Sequence, residues 1–204
     1  MKKAFSVFLI LMLLVSSCGI VSANAAQTQT LPDMPTWIRR FSFTNNNLDV
    51  GKVIKKEVYA GPGNAYMKLA NGGAVVQAQV FRYAGKEGNW LMIRYQNSRK
   101  QMRYGYIDMS EYSDLLADVP TLVFDSYDAV VVRQRVALWD SLMDSTMGAV
   151  VMLEGGTHVT YLGTYVEGSM AMAYVELQLY GQMLRGFMSL SDIQVNQTIV
   201  EENL

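Results

Sequence analysis

Short, aromatic-rich apolar runs, broken by glycine and asparagine turns, limit what this chain can fold into more than any other feature. Ala74-Val75-Val76-Gln77-Ala78-Gln79-Val80-Phe81 ends in alternation, and Trp90-Leu91-Met92-Ile93-Arg94-Tyr95 and Arg103-Tyr104-Gly105-Tyr106-Ile107 follow it. Gly61-Pro62-Gly63, Asn71-Gly72-Gly73, the Gly85–Gly88 stretch and Asn97-Ser98 separate these runs. Short runs of this composition, punctuated every ~8–12 residues, predict strands of a small barrel or sandwich.

The same order returns after Asp114–Pro120, where Pro120 bars continuation of whatever precedes it. A β-rich stretch, Ala129–Trp139, leads through a less regular segment ending at Met147 to Glu154–Leu162, Met172–Leu177 and Arg185-Gly186-Phe187-Met188. Gly72-Gly73 matches Gly155-Gly156, and Trp90-Leu91-Met92-Ile93 matches Met172-Ala173-Tyr174-Val175. Arg103–Ile107 matches Arg185–Met188 with one residue deleted, so the offset stays between 81 and 83 residues. That period is longer than the ~20–50 residues of solenoid repeats and reads as a duplicated domain.

Gly61-Pro62-Gly63, Gly72-Gly73-Ala74, Gly88–Ile93 and Arg103–Ile107 together resemble the bacterial Src-homology-3-like (SH3b) domain. The resemblance implies a Gly-Pro turn after the first strand, a tryptophan in a central strand and a Gly-Tyr/Phe-Ile/Val ending the last strand pair. It covers residues 50–112 well and 126–194 more weakly, since Met172 stands where the tryptophan would be and Leu138-Trp139-Asp140 replaces the turn. The expected fold is therefore all-β, with two tandem SH3-like barrels. The expected boundaries are a signal peptide at 1–25, an arm at 26–50, barrels at 51–113 and 126–195 joined by a linker at 114–125, and a tail at 196–204. Gly63 after Pro62 predicts a type II turn, and mid-strand Gly105 and Gly186 predict bulges or tight bends.

The leader is read from its own grammar. Lys2 and Lys3 precede the apolar run Ala4–Val15, which is too short to span a bilayer that needs about 20 residues. Ala23-Asn24-Ala25 offers a cleavage site, so the segment reads as a secretory signal. Val15-Ser16-Ser17-Cys18 resembles a lipobox, which leaves acylation of Cys18 beside ordinary cleavage before Ala26. Within the arm, Trp37, Phe41 and Phe43 read either as a strap onto the first domain or as a docking peptide; the rest is polar and proline- and asparagine-rich, and supports no packed element.

Composition then removes whole classes of chemistry. Half of the 204 residues are apolar, enough for a core, and the net charge is −1. Without Lys2 and Lys3 there are 15 basic residues against 18 acidic ones. This balance argues against nucleic acid as a partner, which requires a basic surface. The one cysteine lies at the edge of the signal, so no disulfide, thiol catalysis or Cys/His zinc site is expected in the folded part. The single histidine, His158, falls opposite Val159 and Tyr161 in an alternating strand and should face solvent. No nucleophile motif, calcium loop or HExxH occurs. Met170, Met172, Met183 and Met188 read as core fillers rather than copper ligands.

No catalytic residue, metal or cofactor is assigned. The candidate ligand-binding set is Tyr59, Tyr66, Trp90, Tyr104 and Tyr106, and the resemblance implies an aromatic groove for cell-wall peptide or protein. On the competing reading Trp90 and Tyr106 belong to the core and Tyr104 faces solvent. The expected function is a non-catalytic envelope adaptor that recognises a cell-wall component or surface protein and meets the membrane only through lipidation at Cys18. The alternatives are a structural self-association module, or a hydrolase built on a carboxylate pair from the many seam and turn acids.

Overall fold

The structure is a computed structural model, described here over residues 40–43, 46–70, 73–142 and 150–196. The predicted signal, Cys18, Trp37 and the tail beyond Asn196 lie outside the described residues. The chain is mostly β, with β1 (Arg40–Phe41), β2 (Asn47–Glu57), β3 (Val75–Glu87), β4 (Trp90–Gln96), β5 (Met102–Asp108) and β6 (Tyr127–Val131) in its first part. These are followed by β7 (Val136–Leu138), β8 (Val151–Leu153), β9 (His158–Glu167), β10 (Met170–Leu179), β11 (Gln182–Ser189) and β12 (Ile193–Val195). Short 3-10 segments occupy Ser110–Leu116 and Leu190–Asp192. No helix among the described residues is long and apolar enough to cross a membrane.

Two antiparallel sheets carry the molecule. In the first unit the order is β2-β3-β4-β5; in the second it is β11-β10-β9-β6-β12, with β7 and β8 as a separate pair. Neither order closes on itself through named strands. In each unit one isolated bridge ties the last long strand to the segment after the first: Tyr59 to Tyr106, and Trp139 to Phe187. Gly105 and Gly186 sit beside those bridges. A Cβ on Gly105 would lie 2.5 Å from Val58 Cγ1 and 2.9 Å from the Tyr59 carbonyl, and one on Gly186 would lie 2.8 Å from the Trp139 carbonyl. Strand pairing runs through both glycines without a shift, so close backbone approach, and not the expected bulge, excludes a side chain there.

The register shifts lie elsewhere, between Asp49 and Ile54 in the β2–β3 pairing, between Tyr83 and Gly85 opposite β4, and between Tyr174 and Val175 in the β9–β10 pairing. Register sharpens the repeat. Ile93 opposes Gly105 and Val175 opposes Gly186, so Tyr104 corresponds to Arg185 with nothing deleted. The expected type II turn is also replaced: the Gly63 N–H donates to the Gly61 carbonyl at 3.1 Å, and Gly63 has φ 150°. This is a tighter turn, centred on Pro62.

Strands in the middle of each sheet are buried on both faces, which accounts for their unbroken apolar runs. Leu91, Ile93 and Ile107 enter one core cluster with Ala173, Val175 and Met188. Their neighbours Met92, Tyr104 and Tyr106 enter a second cluster with Leu162, Tyr165, Met172, Tyr174 and Phe187. The second cluster lies between the units and is mainly aromatic. The Tyr104 ring meets Tyr165 at 6.1 Å and Phe187 at 5.5 Å.

Two short straps cross this seam in opposite directions. Residues 40–43 lead into the first unit, yet β1 pairs in parallel with Thr164 and Tyr165 of β9 in the second. Residues 121–124 lead into the second unit, yet Thr121 bridges in parallel to Lys86 of β3 in the first. Phe41 and Phe124 meet edge to face at 5.2 Å, and Phe43 is buried against Tyr104 at 4.8 Å. The expected polar arm thus holds a packed element: Phe43 packs on Tyr104 of the first unit, and Phe41 packs on Tyr165 and Tyr174 of the second. β2 also begins at Asn47, inside the expected arm, because pairing with Arg82 overrides the loop-forming asparagines. Phe43→Ala should lower stability by about 3–5 kcal/mol in urea denaturation; a change within the error of the midpoint would show that the strap does not hold the seam.

Candidate functional site

The structure divides the five aromatic candidates between two places, the seam and one end of the first unit. Tyr106 is fully buried, and its hydroxyl donates to Glu87 at 2.7 Å. Tyr104 is also buried, not solvent-facing, because residues two apart on a strand share a face and this face meets the second unit. An extended ligand cannot lie on either ring without parting the units. Tyr66 belongs to the seam as well. Its backbone bridges to Met183, and its hydroxyl donates to Glu176 at 2.5 Å.

Tyr59 and Trp90 remain as a half-exposed pair, edge to face at 5.1 Å. β4 opens at Trp90 immediately after the Gly88-Asn89 turn, and Tyr59 follows the end of β2, so turn and bridge together aim both rings at one end of the first unit. Charged groups flank them: the Lys68 ammonium lies 5.5 Å from the Tyr59 ring centre and pairs with Glu57 at 2.7 Å. The Tyr59 hydroxyl donates to the same carboxylate at 3.1 Å. These hydrogen bonds, Lys68 first, hold the Glu57 carboxyl below its usual range. The site offers aromatic surface, one anion and one cation within a short span. At the corresponding positions of the second unit stand Trp139 and Met172, and Met172 is buried. No matching aromatic pair forms there.

A second constellation lies at the seam, and its centre was missed by reading motifs. The Arg185 guanidinium donates to Glu176 at 2.6 Å and to Glu87 at 2.7 Å, and lies 5.2 Å from the Tyr66 ring centre and 5.5 Å from that of Phe124. One cation therefore holds carboxylates from both units, while Tyr66 and Tyr106 donate to the same carboxylates. The signal was present in the sequence. Arg185 and Glu176 are lone charges inside apolar strands, where burial demands a partner. Two further ion pairs cross the seam, Arg103 with Asp140 and Arg94 with Glu167. The Arg103–Asp140 pair lines a cleft of about 470 Å³ together with Met67, Leu69, Tyr95 and Asn97.

His158 is exposed and lies 3.2 Å from Asp128. Among the described residues no three His, Cys, Asp or Glu side chains gather in a way that could hold a metal ion. Burial pushes the Tyr95 and Tyr174 phenols up to about 12, and also raises those of Tyr66, Tyr106 and Tyr165. Compared with protein-family models, curated proteins and solved structures, the chain matches none of them.

Two outcomes follow from this chemistry. Arg185→Met leaves two carboxylates facing each other across the seam and should cost about 3–5 kcal/mol; a loss below about 1 kcal/mol would place the seam's strength in its aromatics alone. The buried phenols give an alkaline limit. An unfolded tyrosine loses its proton near 10, whereas Tyr95 and Tyr174 keep theirs to about 12. The stability they contribute is thus whole below pH 10 and drains away as pH rises to 12. The urea midpoint should fall across that window, and phenolate absorbance of the native chain should lag that of the unfolded chain.

Proposed function

We propose that this chain is a non-catalytic, extracytoplasmic bacterial adaptor whose first SH3-like unit binds a cell-wall component. On this reading both units descend from the SH3b pattern, and the leader delivers the protein to the envelope. The observation that carries the proposal is the half-exposed Tyr59–Trp90 pair flanked by Lys68 and Glu57. Wall peptides carry carboxylates and amines on an extended backbone. Aromatic faces hold such a backbone while one cation and one anion read its ends. The Glu57–Lys68 pair is exposed, so exchanging it for contacts with a ligand costs little.

The second unit acts as a platform on this reading, since Met172 is buried where an aromatic reader would stand. A carboxylate-pair hydrolase fits the geometry less well. The seam carboxylates Glu87 and Glu176 are both committed to Arg185 and to tyrosine hydroxyls, which leaves neither free to serve a substrate.

The mature chain should co-sediment with isolated peptidoglycan at low and moderate salt. Tyr59→Ala should weaken that binding about tenfold or more, as truncation of an aromatic anchor does. Lys68→Ala should also weaken it while changing stability by less than about 1 kcal/mol. No enrichment of the unaltered chain at either salt would sink the proposal.

A further inference from the structure

The two units differ in how their first strand ends at the sheet edge. In the second unit the 3-10 segment Leu190–Asp192 delivers the chain to β12, which pairs antiparallel with β6 over Ala129–Val131. In the first unit the corresponding segment runs longer, Ser110–Leu116, and the chain then leaves for the strap at Thr121. No strand pairs with the outer edge of β2 among the described residues, and β2 is an 11-residue strand ending its sheet. Among the described residues the first unit has no counterpart of β12.

Backbone direction identifies the groups left open. The Val58 N–H donates to Ala74 on the β3 side, and Tyr59 exchanges N–H and C=O with Tyr106. Alternation through the regularly paired stretch 54–57 then turns Glu57 and Lys55 toward the open edge; the register breaks before Ile54, between it and Asp49. In the second unit the edge is filled by β12, where the Asn196 N–H donates to the Asp128 carbonyl. Glu57 opposes Val75 and Val130 opposes His158 at the start of the next strand, so Lys55 occupies the place of Asp128.

Side-chain chemistry differs at that place. Asp128 grips the arriving strand by accepting from the Asn196 amide at 2.7 Å. Lys55 presents an exposed ammonium instead; Lys52 is exposed as well, its ammonium 5.7 Å from the Tyr112 ring centre, while Lys56 is paired with Glu111 at 3.0 Å. The half as a whole carries the same sign as Lys55. Residues 40–118 hold 11 basic and 7 acidic side chains, a balance of +4, whereas residues 119–196 hold 3 and 8, a balance of −5. Antiparallel pairing of β2 with a second copy would set lysines against lysines, which opposes self-association along this edge.

We infer that β2 is a strand-acceptor edge: an extended, acidic segment of a partner protein takes the place of the missing strand, with a carboxylate on Lys55. Backbone ladder bonds supply the affinity and Lys52 and Lys55 select the charge. The site is separate from the aromatic pair and does not depend on the wall-binding proposal.

The test uses the mature chain and two synthetic probes, an alternating valine–glutamate decapeptide and its valine–lysine counterpart, with amide hydrogen exchange read residue by residue. With the acidic peptide at about ten times its dissociation constant, exchange at Lys55 and Glu57 should slow about tenfold. The basic peptide should leave it unchanged. Lys52→Glu/Lys55→Glu should reverse the preference, and Tyr59→Ala should leave it intact. Equal protection by both peptides, protection confined to other strands, or none at all would overturn the inference.

Discussion

Each of the two sheets has an aromatic face that its own residues cannot cover, and the fold depends on those faces meeting. Units of this size bury only about 60% of their unfolded surface when alone. Here the deficit is met at the seam, where Tyr104, Tyr165, Tyr174 and Phe187 form a second core between the sheets. Aromatic packing alone tolerates sliding. Arg185 removes that freedom, because a guanidinium held by one carboxylate from each unit fixes their offset. Burial supplies the attraction, and the ion triad supplies the register.

Much of the fold was legible because strand patterning is local. The runs at 90–95, 103–107 and 172–177 emerge as β4, β5 and β10, and His158 faces solvent as alternation requires. What was not legible depends on the seam. A strand buried on both faces shows no polar side, so nothing within Arg103–Ile107 says that Tyr104 meets a second unit. Asn45–Asn47 carries loop chemistry, yet Asn47 opens β2 because a partner strand is already in place. Of the candidate site, the residue types were readable and their grouping was not. Tyr59 and Trp90 meet through a turn and a bridge that bring distant segments together, while Tyr104 and Tyr106 are withdrawn by a contact formed 60 or more residues away in the chain.

The two halves differ in complementary ways. One keeps an accessible aromatic pair and leaves its first strand open; the other buries a methionine at the matching place and completes its sheet with β12. Charge divides along the same line, with the basic excess in the half that keeps its surface open.

The exchanged straps also determine where the chain can be divided. Residues 114–125 look like a linker, and a cut there would yield two pieces that each match one repeat. Each piece would retain the strap that serves its sister and lose the one it needs: the first would keep Phe41 without its seat on β9, and the second would keep Thr121 without β3. A truncation designed on sequence boundaries would therefore expose the seam's aromatics to solvent and produce aggregation rather than an isolated domain.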